Sequence, residues 1–138
     1  MNEFEELAKR CEQANGPDRE LDALIDVKLR IGKPNHPEWV SKNFPKNWRI
    51  RSDHRVEVFH NDGKGGVHWE PQRFTESIDA AMALFPNDTG VILYCIIGKK
   101  PSVSVQRYEY DDHVNAQTTA LALCAAALRI RAFPTGRP

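Results

Sequence analysis

The sequence predicts an α+β fold: an antiparallel β-sheet of three to four strands packed with helices, in the manner of an α/β sandwich. Three observations carry that expectation. Apolar residues recur at helical spacing in four segments, near residues 4–11, 21–29, 78–85 and 116–133. Alternating or continuous apolar runs rich in β-branched residues fill 55–60, 91–97 and 102–110, with a shorter one at 67–69. Lys99-Lys100-Pro101 turns the chain between the last two long runs, so they are expected to pair antiparallel.

Asn2 caps the first helix, whose stripe is Phe4, Leu7, Ala8 and Cys11; Asn15-Gly16 stops it. Pro17 opens a second helix, Asp18 and Glu20 suit its positive end, and Leu21, Leu24, Ile25 and Leu29 form its buried face. Residues 33–53 break all periodicity with Pro34, Pro37 and Pro45. Trp39, Phe44 and Trp48 alternate there with Lys42, Lys46, Arg49 and Arg51, which reads as a long loop or arm holding one short element. Residues 55–60 form a strand, the Gly-rich stretch 61–66 turns, and Val67-His68-Trp69 returns as a hairpin. Thr75 or Ser77 caps a third helix that Pro86-Asn87 ends. The run 91–97, bounded by Gly90 and Gly98, reads as a central strand, and Asp111-Asp112-His113 closes the strand after it.

The last helix, about 116–133 with Asn115 or Thr118 as cap, carries two apolar stripes. Leu121, Cys124, Ala125, Leu128 and Ala132 make one; Leu123, Ala126, Ala127 and Ile130 make the other. A surface helix has one such stripe. Either the first two helices cover the second stripe, or it meets the same helix of another subunit across a two-fold axis. A homo-oligomer through helix 116–133 is the expectation.

Composition narrows the function. The 138 residues balance 19 Lys+Arg against 19 Asp+Glu. Such a chain lacks the charge by which general DNA- and RNA-binding proteins neutralise phosphates. No apolar run reaches the roughly 20 residues that span a bilayer, and the opening residues lack the apolar core of a secretory signal. Cys11, Cys95 and Cys124 read as buried free thiols in a reducing compartment. A cytoplasmic protein is expected.

No catalytic constellation is expected. His54, His60 and His68 lie among Asp53, Glu57, Asp62 and Glu70 without metal-ligand spacing, so neither a metal site nor a cofactor is implied. Residues 63–66 lack the remaining positions of a phosphate loop, and no nucleophile elbow occurs. Only His60 with Glu70 offers a general acid/base pair for a hydrolase. The remaining equipment suits binding: Arg73-Phe74-Thr75 before the third helix, Arg107-Tyr108 on the last strand, and Arg129 and Arg131 at the end of the last helix. Arginine forks grip phosphates, aromatic faces stack on bases, and helix N-termini with Thr75, Ser77, Thr118 and Thr119 offer anion donors.

Leu7–Arg10 followed by residues 16–25 resembles the opening of small phage proteins grouped as the phage ABA sandwich domain family. The likeness continues in residues 73–84 and 119–129 and reaches both ends of the chain. Residues 33–66 carry no such pattern, so one domain over 1–138 with a variable arm and hairpin inserted at 33–66 is expected. The resemblance implies a phage or prophage gene and an α/β sandwich. In size and layout the chain is also similar to the Thoeris anti-defence sponges, oligomers that sequester cyclic ADP-ribose isomers, some of which also hold cyclic di- or trinucleotides. That likeness implies a protein that is not an enzyme and holds a nucleotide immune signal in the host cell cytoplasm. Phe74 would stack a base, Arg73, Arg107 and Arg129 would hold phosphates, and Thr75, Asp79 and Thr118 would bond ribose or phosphate. The alternative is a phage interaction protein whose aromatic-basic arm binds a host or phage protein; there Trp39 and Trp48 would matter most.

Overall fold

Four helices and two three-stranded antiparallel sheets make an α+β fold among the described residues, which are 2–30, 42–43, 46–60, 62–63 and 66–133 of a computed structural model. Trp39, Phe44 and the three prolines of the expected arm lie outside them. Chain contacts divide the protein into two compact units, residues 1–21 with 73–138, and residues 22–72.

The first unit is built around its last helix. α1 (Glu3–Gln13) starts at Asn2, whose side chain accepts from the Glu5 N–H at 2.9 Å, with three acids in the first turn facing the helix's positive end. Ala8 and Cys11 bury its apolar stripe. After α1, Asp18 accepts from the Leu21 N–H at 3.1 Å and so caps the helix that follows, α2 (Arg19–Arg30). α3 (Ile78–Met82) is a short helix capped by Ser77. β4 (Gly90–Tyr94), β5 (Ser102–Arg107) and β6 (Tyr110–Asn115) form a sheet in that order. α4 (Thr119–Ala132) is capped by Thr118 and packs against α1, α3, β5 and β6.

Every α4 residue from Ala120 to Leu128 is buried. Both apolar stripes are therefore consumed inside one chain, with α1 packed on the helix, so neither stripe is left as the apolar subunit interface that the two suggested. Small side chains at Ala122, Ala125 and Ala126 let the neighbours approach closely. Arg129 on α4 meets Glu12 on α1 at 2.7 Å, and Asn2 Nδ2 donates to the Ala132 carbonyl at 3.2 Å, tying both ends of α1 to α4.

The second unit pairs β1 (Trp48–Ile50), β2 (Val56–Phe59) and β3 (Gly66–Trp69) in that order. Its core holds Ala23 and Val27 of α2 with Val56 and Val58 of β2, flanked by Trp48, Ile50 and Trp69. Trp69 Nε1 donates to the carboxylate of Asp26, which is 4% exposed. Gly66 is required where it stands: a Cβ there would lie 2.6 Å from the Val58 carbonyl oxygen.

Four sequence expectations are corrected. One sheet of three to four strands is instead two sheets of three, because β1 and β6 both form strands. Residues 111–113, read as a turn, lie within β6, and the real turn is Tyr108-Glu109. β4 is an edge strand rather than a central one, with most of its side chains exposed. Cys95 follows it and is exposed, whereas Cys11 and Cys124 are buried. Among the described residues no helix is long and apolar enough to cross a membrane.

Candidate functional site

The residues expected to bind a nucleotide have diverse fates. Phe74 is 5% exposed and its carbonyl accepts from Cys124 Sγ at 3.0 Å, so its ring belongs to the core and faces no base. Thr75 is fully buried: its hydroxyl accepts from the Asp18 N–H at 2.9 Å and donates to the Asp18 carbonyl at 3.2 Å, fastening the α1–α2 link. Thr118 spends its hydroxyl oxygen on the Leu121 N–H as the cap of α4. Arg73, paired with Glu76 at 3.3 Å, and Asp79 stand exposed at the start of α3.

Arg129 is held inside the fold. Beside its 2.7 Å bond to Glu12, its Nε lies 3.8 Å from Asp112, which also accepts from the Tyr110 hydroxyl at 2.9 Å. Burial pulls the guanidinium pKa down, but Glu12 and Asp112 outweigh it and hold the charge more firmly than usual. Burial first, then the bond to Asp112, pushes the Tyr110 hydroxyl above its ordinary value. With two carboxylates on it, this arginine is a structural cation.

Arg107 is placed differently. It ends β5 at a two-residue hairpin in which it pairs with Tyr110. Its Nε donates to the Asn87 carbonyl at 3.0 Å, and its guanidinium carbon sits 4.6 Å from the centroid of the Tyr108 ring. Arg131 comes off the last turn of α4 and donates from Nε to the Leu84 carbonyl at 2.8 Å. Both arginines are thus fastened by Nε to the segment 84–87 that follows α3. Burial lowers the pKa of Arg131, and the neighbouring charge of Arg107 lowers it further. Among the described residues Arg131 has no carboxylate partner.

Tyr108 sets the character of this corner. It is 57% exposed and held at φ 57°, a left-handed conformation that a bulky residue rarely adopts. Tight hairpins take left-handed residues, and Gly, Asn or Asp fills such positions at low cost. A tyrosine kept there offers its ring to solvent with a guanidinium against it. The sequence did single out Arg107, Tyr108 and Arg131 by residue type; their convergence depends on the β5–β6 hairpin and the end of α4 meeting at one turn.

The open face of the same sheet carries a second arrangement. Ile92, Tyr94, Ser104, Gln106, Asp111 and His113 line a concavity of about 700 Å³. Ser104 Oγ and His113 Nδ1 are 2.8 Å apart, and the His113 ring lies 5.8 Å from that of Tyr94. A hydroxyl on an imidazole is the start of nucleophilic chemistry, which also needs a group to orient the ring. Asp112 does not provide it, since its two oxygens accept from the Tyr110 hydroxyl and the His113 backbone N–H. Asp111 makes this face a poor seat for phosphate.

In the second unit, His60 and Glu70 follow β2 and β3 at opposite ends of their hairpin, because Phe59 pairs with Gly66 and Val56 with Trp69. They form no acid/base pair. Two cations of the basic arm are paired with acids of the same unit: Arg49 meets Glu57 at 2.6 Å and Arg51 meets Asp53 at 3.2 Å, while Lys42 and Lys46 are exposed. Among the described residues no group of three His, Cys, Asp or Glu is placed to hold a metal ion. No protein-family model, curated protein sequence or solved structure matches the chain.

Proposed function

We propose that this protein binds a phosphorylated, nucleotide-type ligand without altering it, at the corner formed by Arg107, Tyr108 and Arg131. The observation that carries the reading is that Arg107 and Arg131 are fastened by Nε to one short segment, at the carbonyls of Asn87 (3.0 Å) and Leu84 (2.8 Å). A half-buried guanidinium without its own carboxylate, beside a second positive charge, is relieved by an anion that touches both. Arginine forks suit phosphate oxygens, and a base stacks on the exposed Tyr108 ring whose other neighbour is Arg107. The roles assigned in sequence to Phe74 and Arg129 pass to Tyr108 and Arg131. The likeness in size and layout to the anti-defence sponges extends the proposal to sequestration: the ligand is a host immune signal, a cyclic ADP-ribose isomer or cyclic oligonucleotide, withdrawn in the host cytoplasm. Trp48 is partly buried against the core of the second unit, which leaves less of its ring for the protein-binding alternative.

The test is thermal unfolding against a panel of cyclic nucleotides and cyclic ADP-ribose isomers. A ligand that binds only the folded state raises Tm in proportion to the logarithm of its excess over Kd. One member of the panel is expected to raise Tm in the wild type and to fail with Arg107→Ala and Arg131→Ala. A shift that both variants retain would place the ligand elsewhere.

A further inference from the structure

The two edges of the β4–β5–β6 sheet are built oppositely. β6 carries Asp111, Asp112 and His113, charged or polar groups that discourage pairing with another chain. β4 has no such protection: from Gly90 to Gly98 the sequence contains no charged residue and no proline. Its register puts Ile92 on the face of Ser104 and His113, and Val91 and Leu93 on the face of the buried Val105 and Val103. Both faces of the strand are therefore apolar. α4 covers β5 and β6, and the β4 side chains remain outside: Ile92 is 57% exposed, Leu93 45% and Tyr94 40%. Ile96 and Ile97 continue the patch beyond the strand. These five side chains expose on the order of 600 Å², at the upper limit of about 300–600 Å² for the largest patch on a soluble monomer. A specific interface takes about 800 Å² per partner.

We propose that β4 is a subunit interface: two copies pair β4 with β4, antiparallel about a two-fold axis at Ile92, into one six-stranded sheet. The partner for this edge must itself be an uncharged strand apolar on both faces, and β4 of a second copy is such a strand. The whole of β4 is used in this register: Gly90 faces Tyr94 of the second copy, Val91 faces Leu93, and Ile92 faces itself. Each backbone N–H and C=O on the open edge gains a partner, and the interface is isologous, as a closed dimer requires. β6 is the poorer candidate, because self-pairing there would gather Asp111 and Asp112 of both chains, four carboxylates, into one short ladder.

Light scattering after size exclusion tests this without any ligand. The wild type is expected at the mass of two 15.7-kDa chains, and Ile92→Lys with Leu93→Lys at half that mass, with the circular dichroism of the folded chain retained and a Tm that no longer rises with protein concentration. In a Cys95→Ser background, Ile92→Cys is expected to yield a disulfide-linked dimer on mild oxidation, since residues directly opposite in a non-hydrogen-bonded pair stand within disulfide range. If the lysine variant fails to fold, the presence or absence of that cross-link decides. A monomeric wild type at hundred-micromolar concentration overturns the proposal, as does a dimer that survives both lysines. A monomer that floats with anionic lipid vesicles overturns it too and assigns the edge to a membrane surface.

Discussion

Arg129→Met separates the structural arginine from the binding ones. Met keeps the apolar stem of the side chain while removing the charge. Glu12 and Arg129 meet at 2.7 Å with side chains 22% and 28% exposed. Breaking a fully buried ion pair costs about 3–5 kcal/mol, and breaking an exposed one about 0–1 kcal/mol. Partial exposure puts this pair between them, at about 2 kcal/mol, with Glu12 and Asp112 left without their cation. For a chain of this length that lowers Tm by roughly 6–8 °C. Urea unfolding of Arg129→Met, Glu12→Gln and the double variant should give a coupling of about 1 kcal/mol. The ligand-induced Tm shift should survive in Arg129→Met, because Arg129 lies outside the binding corner. A loss below about 0.5 kcal/mol with no coupling would refute the structural role. Loss of the ligand shift at unchanged stability would return Arg129 to the phosphate site.

Further outcomes are expected from the same structure. Leu123→Ala, at a fully buried position on the second stripe of α4, should cost about 3 kcal/mol in denaturant unfolding as a cavity opens. Thr118→Ala should cost about 1 kcal/mol by removing the α4 cap, measurable in the same assay. Tyr110 has a folded-state pKa raised above its unfolded value of about 10, so the folded protein holds a proton that the unfolded chain releases. Stability should be unaffected below pH 9 and fall as pH rises past 10, and thermal unfolding of Tyr110→Phe should lack that fall. Ser104→Ala should leave any recovered ligand unchanged in mass spectrometry, since among the described residues no carboxylate orients the His113 ring; ligand cleaved by the wild type and spared by this variant would make the Ser104–His113 pair catalytic.

The helices were legible because their signals are local. Asn2, Ser77 and Thr118 cap where side-chain chemistry says they should, and the stripe of α1 is buried at Ala8 and Cys11 and half-buried at Phe4 and Leu7. The strict alternation of β5 likewise predicted its pairing with β4. β6 was missed because Asp-Asp-His looks like a turn. Its Asp112 is tolerated in a strand by the Tyr110 hydroxyl, with Arg129 of α4 3.8 Å away, and that arginine lies far off in sequence. β4 was misplaced because a continuous apolar run looks the same whether a strand is covered on both sides or left at an edge. Phe74 and Thr75 sit where a ligand-binding loop would begin a helix; only their tertiary partners, Cys124 and Asp18, reveal them as fasteners. The Arg107–Arg131 approach joins residues 24 apart along the chain through carbonyls at 84 and 87, which no spacing rule anticipates.

The most direct test of the central claim is titration calorimetry of the wild type and the Arg107→Ala, Arg131→Ala double variant with the ligand that gives the largest thermal shift, followed by mass spectrometry of the ligand released on heating. The account predicts saturable binding by the wild type, intact ligand on release, and at least a hundredfold loss of affinity in a variant that still folds. Equal affinity in the two proteins, or ligand released in altered form, would contradict it.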